Sequence, residues 1–225
     1  MTSARTFAAA SSIWAPLTPT IDSLTHWINS RVEEAGPRVP AIGGDPGNNA
    51  LIAEMAFGLV AEGGALQLPI DQGLQDRVRS YLRGFRSHPP GDADLDEDEE
   101  REVILLARSL SLLLAPEGDL VFYPELPGCG VVDSAHADLA AQAKIGEVKS
   151  VSRPFRASDV KQLLTYCAMA HSVGNSYEEI ALYNPRRGVR LSMSTEFACR
   201  ASSGLTAPEL FEEIQRIMTG LQTSG

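Results

Sequence analysis

Apolar and polar positions along this chain fall into two textures. Up to about residue 118 the apolar residues recur at helical spacing. In 21–35, Ile21, Leu24, Trp27, Ile28 and Val32 share one face, and Gly36-Pro37 stops the run. Residues 49–64 read as an apolar helix ended by a glycine pair. Residues 68–86 read as an amphipathic helix with Ile70, Leu74, Val78, Leu82 and Phe85 on one face. Residues 100–115 form another buried helix, closed by Pro116-Glu117-Gly118. Between the first two helices, 38–48 has the Gly and Pro content of a loop.

After Gly118 the pattern shortens. Residues 119–126, 131–140 and 145–151 read as strands, with a turn at 127–130 and a short connection at 141–144. Ser158 caps a helix that runs on to Val173. A strand over 178–185 and a helix over 208–221 follow. From about residue 100 the order is helix, three strands, helix, strand. The expected fold class is α+β, a mixed sheet with flanking helices, preceded by a helical N-terminal region. The expected division is 1–99, with an acidic linker near 88–100 that includes Pro89-Pro90; then a core over 100–200; then a C-terminal helix, 201–225, packed on the core.

Composition narrows the class. With 225 residues, 44% hydrophobic and 21% charged, the chain can bury a substantial core. No run approaches the roughly 18 apolar residues that span a bilayer. Residues 1–17 carry one Arg and a weak Ala-rich patch, a poor secretory leader. Cys129, Cys167 and Cys199 are odd in number and far apart, which suits reduced thiols in a cytoplasmic protein. The net charge of −10 is unevenly spread. Residues 1–120 hold 9 Lys/Arg against 18 Asp/Glu, and 121–225 hold 10 against 11. Much of the acidity lies in 91–103, read as a solvated loop or helix start, the alternative being a phosphate mimic over a basic groove. Arginines gather locally at Arg153/Arg156 and at Arg186/Arg187/Arg190.

Chemistry concentrates in Ile145-Gly-Glu-Val-Lys-Ser-Val151. Strand alternation puts Glu147 and Lys149 on one side and Val148 on the other. A hairpin turning near 141–143 brings Asp138 opposite Glu147. Two carboxylates facing each other across strands repel unless a cation joins them. Oxygen ligands of this kind suit Mg²⁺ or Mn²⁺. Lys149 beside the ion is placed to stabilise an oxyanion or orient a water.

Asp138, then Glu147-Val-Lys149, then Gln162 and Tyr166 on the next helix, resembles the D…ExK…QxxxY pattern of the RecB-like branch of PD-(D/E)xK nucleases. The resemblance covers about residues 100–190. It implies a restriction-endonuclease-like core and Mg²⁺-dependent cleavage of DNA. Asp138, Glu147, Lys149, Gln162 and Tyr166 would be the catalytic residues. The metal ligands would be Asp138, Glu147 and the Val148 carbonyl, with Asp133 as a further acid. Alanine, rather than the family's frequent Pro or Gly, precedes Asp138. The family also draws a Glu from the helix before the sheet, and Glu102 is the best placed, ahead of Glu117 and Glu125. His136, between Asp133 and Asp138, is a weaker ligand candidate; His26, His88 and His171 read as structural or surface. Cys167 reads as core. Arg153, Arg156, Arg186 and Arg187 are expected to hold the nucleic-acid backbone, and Phe155 either stacks on a base or anchors its loop. The resemblance further implies a role in microbial defence or repair, with a protein partner or second copy docked on the helical region. The competing expectation is a catalytically silent nuclease-fold subunit that binds or assembles.

Overall fold

The computed structural model describes residues 1–42, 45–83 and 94–223. Two short helices precede the first one expected from periodicity: α1, Ala4–Ala9, and α2, Ser11–Leu17. Ser3 caps α1, its hydroxyl accepting from the Thr6 N–H. Helix α3 spans Ile21–Arg31, and the chain then turns into a two-residue strand, β1, Glu33–Glu34. Helix α4, Asn49–Ala61, follows a 3₁₀ turn at Pro46–Asn48. Helix α5 covers Gln72–Arg83; Phe85, His88 and Pro89-Pro90 lie outside the described residues.

Helix α6, Glu97–Leu114, gives the acidic block a physical role. Asp96 accepts from the Glu99 N–H at 2.8 Å, and Glu99 accepts from the Asp96 N–H at 3.0 Å. Glu97, Asp98, Glu99 and Glu100 fill the first turn, where the helix dipole favours negative charge. The described part of the block is therefore a helix start.

The sheet region is more broken than its hydrophobic pattern. The run at 119–126 divides into β2, Leu120–Phe122, and β3, Glu125–Leu126. Tyr123 takes φ +52° and Pro124 has no N–H to give a ladder. The run at 131–140 divides into β4, Ala135–His136, and β5, Leu139–Ala141. Next come β6, Lys144–Val148; α7, Ala157–His171; β7, Glu179–Asn184; and β8, Val189–Ser194. Helices α8, Thr195–Ser203, and α9, Ala207–Thr223, end the chain.

Six strands make one mixed sheet in the order β1-β8-β7-β6-β5-β2, and β3 pairs with β4 apart from it. Only β6 and β7 run parallel in that sheet, joined by α7 as the crossover; every other pair is antiparallel. Helices cover both faces. Ile145, Ile180 and Leu182 pack with α1, α3, α7 and α9 in one core. Leu139, Ala181 and Tyr183 pack with Phe57 of α4 and Leu110 of α6 in another. The first hundred residues thus contribute to both faces. Gly146 is required by this packing, since a Cβ there would come within 2.6 Å of the Leu139 side chain and 2.9 Å of the Tyr183 ring. No described helix is long and apolar enough to cross a membrane.

Candidate active site

The β5–β6 hairpin sets the site. Its register pairs Leu139 with Gly146 and Ala141 with Lys144, so the next pair outward is Asp138 and Glu147. The turn falls at Gln142, which takes φ +51°. Asp138 lies just outside the last ladder rung, and its Oδ2 accepts from the Val148 N–H at 2.6 Å. Glu147 is 3% exposed, its partner across β7 being the apolar Leu182.

Lys149 bridges the strand to α7. Its ammonium pairs with Glu147 Oε1 and donates to Gln162 Oε1 at 3.1 Å. The Gln162 amide nitrogen in turn donates to the Tyr166 hydroxyl at 2.7 Å. Gln162 and Tyr166 are one helical turn apart on α7, so both project toward the ExK strand. The five residues named from the sequence thus form one contiguous chain of contacts. The Val148 N–H, and not its carbonyl, is the group that meets Asp138.

One carboxylate in this cluster went unnamed in the sequence reading. Glu54, half-buried on α4, is near enough to feel the charge of Glu147. Burial first, and Glu147 second, push its carboxyl up to about 7. Burial, with Glu147 beside it, also raises Asp138 well above the usual carboxylate range, against the opposing pull of Lys149 and the Val148 N–H. Burial works against the Lys149 ammonium, but Glu147 and Asp138 outweigh it and hold the lysine charged. Two tyrosines on the rim complete the surroundings. Tyr81, 50% exposed on α5, is pushed up to about 12 by burial, then by Glu54, Asp138 and Glu147. Tyr123 is raised too, by burial and then Glu54, and its ring packs edge-on against Phe57 at 5.0 Å.

Three carboxylates therefore face one ammonium. Glu147 Oε2 is buried and has no hydrogen-bond partner among the described residues. A buried carboxylate oxygen without a donor is costly. Among the described residues, however, no group of three or more His, Cys, Asp and Glu side chains stands in metal-holding geometry. The acids are close enough to repel but are not drawn together around a point.

Several sequence expectations are placed elsewhere. Glu102 is no part of the site: it is 1% exposed, pairs with Arg186 at 2.5 Å and accepts from the Ile42 N–H at 2.8 Å. Glu117 binds Lys144 at 2.8 Å, and Glu125 lies on β3 opposite His136. His136 is exposed on that small ribbon. Asp133 has its backbone tied to Thr2 and is not among the charges acting on Asp138. Phe155 is 2% exposed and its loop is clamped by Asn29, so it anchors the loop and offers no ring to a base. The three cysteines are free thiols, with Cys167 and Cys199 buried.

The arginines separate. Arg153, Arg186 and Arg187 line one cleft of about 1020 Å³, joined there by Arg38, while Arg156 is exposed and lies outside its lining. Arg186 is buried and not a free rim cation, and Arg153 is held by Asp159 at 2.8 Å. No family model, no curated protein and no solved structure matches the chain.

Proposed function

We propose that the chain is a metal-dependent nuclease that hydrolyses phosphodiester bonds of DNA on a restriction-endonuclease-like core, within a larger microbial defence or repair system. The observation that carries the reading is the contact chain Asp138–Val148–Glu147–Lys149–Gln162–Tyr166, closed around a buried carboxylate oxygen with no partner. The element order α6, hairpin, α7, β7 supports it, as it matches what the D…ExK…QxxxY resemblance implies.

The donor chemistry suits a divalent cation: the orphaned Glu147 Oε2 and the raised Asp138 and Glu54 need positive charge to stay ionised together, and the side chains would have to draw in around the ion. Glu147, Asp138 and the Val148 carbonyl would hold it, with Glu54 as a further carboxylate. Bound Mg²⁺ or Mn²⁺ supplies a polarised phosphoryl oxygen and a water of lowered pKa. The protein supplies the rest. Lys149 keeps its proton and presents positive charge where the phosphoryl oxygens gain negative charge. Gln162 fixes the lysine through its carbonyl oxygen, and Tyr166 fixes the orientation of the Gln162 amide. The buried floor keeps bulk water away from these charges.

One observation favours the second reading, a silent nuclease-fold subunit. Lys149 already neutralises Glu147 Oε1, so half of the carboxylate is satisfied without any ion. Incubating the protein with linear, circular and single-stranded DNA in Mg²⁺, Mn²⁺ or EDTA separates the two. Cleavage that needs the metal supports the nuclease. DNA left intact in all three conditions supports the silent subunit.

A further inference from the structure

The arginine-lined cleft carries an inference of its own. Its lining includes Arg38, Arg153, Arg186, Arg187 and Asn49 and, among the described residues, no carboxylate side chain. Arg186 is 8% exposed. Glu102 holds its Nη2 and the Ser150 carbonyl accepts from its Nε, leaving Nη1 buried with no partner among the described residues. Arg187 Nη1 is likewise buried and unpartnered among the described residues. An unmatched guanidinium N–H is costly where water cannot reach it. Two of them, from adjacent residues on one cleft wall, mark a place shaped for an anion.

Another lining residue adds to this. Asn49 is the first residue of α4, a helix of 13 residues whose start has no side-chain cap. The Asn49 N–H is taken by the Pro46 carbonyl of the preceding 3₁₀ turn, so the helix start contributes only its dipole, which favours a negative ligand. The cleft also abuts the carboxylate cluster. Its Ser150 follows Lys149 directly. Its Asn49 lies on the same helix as Glu54, about 7.5 Å away along the axis. The volume is that of a stretch of polynucleotide, larger than a lone inorganic ion.

We propose that this cleft is the track that receives the substrate strand beside the cutting site, with a backbone phosphate seated against Arg186 and Arg187. The proposal rests on the nuclease reading for the identity of the strand, but the phosphate seat stands on the two orphaned guanidinium nitrogens alone. Glu102 anchors Arg186 in the cleft lining, and Arg187 supplies the second contact. Arg156, exposed outside the lining, takes no part.

Fluorescence anisotropy with a short labelled single strand in EDTA tests this without any catalytic step. Arg187→Ala should weaken binding about tenfold and reduce the dependence of log K on log salt by about 0.7, one phosphate contact. Asn49→Asp should weaken binding as well while keeping the fold, since a carboxylate in a first helical turn is stabilising. Arg156→Ala should change neither quantity. Inorganic pyrophosphate should compete, and less well against Arg187→Ala. If wild type binds the strand and both cleft variants bind it equally well, the cleft proposal is overturned and the nuclease reading is untouched. If pyrophosphate binds in an Arg187-dependent way but no DNA does, the phosphate seat holds and the nuclease reading falls. If wild type binds neither probe, the proposal is overturned.

Discussion

Strand β6 begins and ends on a lysine network, and the two networks behave oppositely. At its start, Lys144 pairs with Glu117 at 2.8 Å and Glu179 at 3.2 Å, and the Tyr183 hydroxyl donates to Glu117 at 2.7 Å. Arg190 and Glu33 close the same rim with two bonds of 2.9 Å. The Glu179 carboxyl is held below the usual range, first by the Ser192 hydroxyl and then by Lys144. Just past its end, Lys149 has three acids around it, two of them pushed up, and one buried oxygen is left over. The residue types are the same in both places. In the first network the acids have cationic or hydroxyl partners; in the second a buried carboxylate oxygen has none among the described residues, and that imbalance is what the proposed site rests on.

Substitutions at the second network should produce the larger effects. Lys149→Ala should reduce DNA cleavage about 10²–10³-fold, measured by plasmid nicking, with the circular dichroism spectrum unchanged. The carboxylates left behind take up protons more readily than they remain as bare buried charges. Retention of full activity would place the lysine in a structural role like that of Lys144.

Glu54→Gln sharpens the contrast through pH. In the native protein this carboxyl titrates near 7, against 4.5 for the free group. Between those values the folded state holds a proton that the unfolded state has released, so stability falls as pH rises through the window. The loss is complete above about pH 7, and is of order 1–3 kcal/mol for a half-buried group. Denaturant melts across this range should show a shallower fall for Glu54→Gln than for wild type, and a more stable variant at pH 8. An identical slope in both proteins would mean that Glu54 ionises freely.

Gln162→Ala should lower cleavage by about tenfold without abolishing it, since Lys149 loses its holder but keeps Glu147. Lys144→Ala is the smallest expected change: activity unaltered and stability down by about 1 kcal/mol in thermal melts, the order of a partly buried ion pair and its hydrogen bonds.

The two networks also differ in how far the sequence revealed them. The Asp138–Glu147 pairing follows from a period of two and a turn at 141–143, and Gln162–Tyr166 from a period of four on a capped helix. Both are local rules, and the structure places those residues together. The Lys144 network depends on Glu117 and Tyr183 arriving from distant parts of the chain, and no local rule reports that. Strand β8 was missed although its signal is present: Val189, Leu191 and Met193 alternate with Arg190, Ser192 and Ser194. Strand β1 has no signal of its own, being two exposed glutamates that pair with β8 only because α3 delivers them there. Glu54 did leave a trace, as the single charged residue within the apolar run 49–61. A lone carboxylate there has to find either water or a partner. Glu102 looked better placed by sequence distance alone, but its neighbour in space is Arg186.

The central proposal is that the Glu147 cluster binds one divalent cation. Calorimetric titration of the purified protein with Mg²⁺ at about pH 7.5, beside Glu147→Ala, tests it most directly. The account predicts one Mg²⁺ bound per chain and no binding by Glu147→Ala. A wild type that binds no divalent ion, or a variant that binds it equally well, would contradict the account.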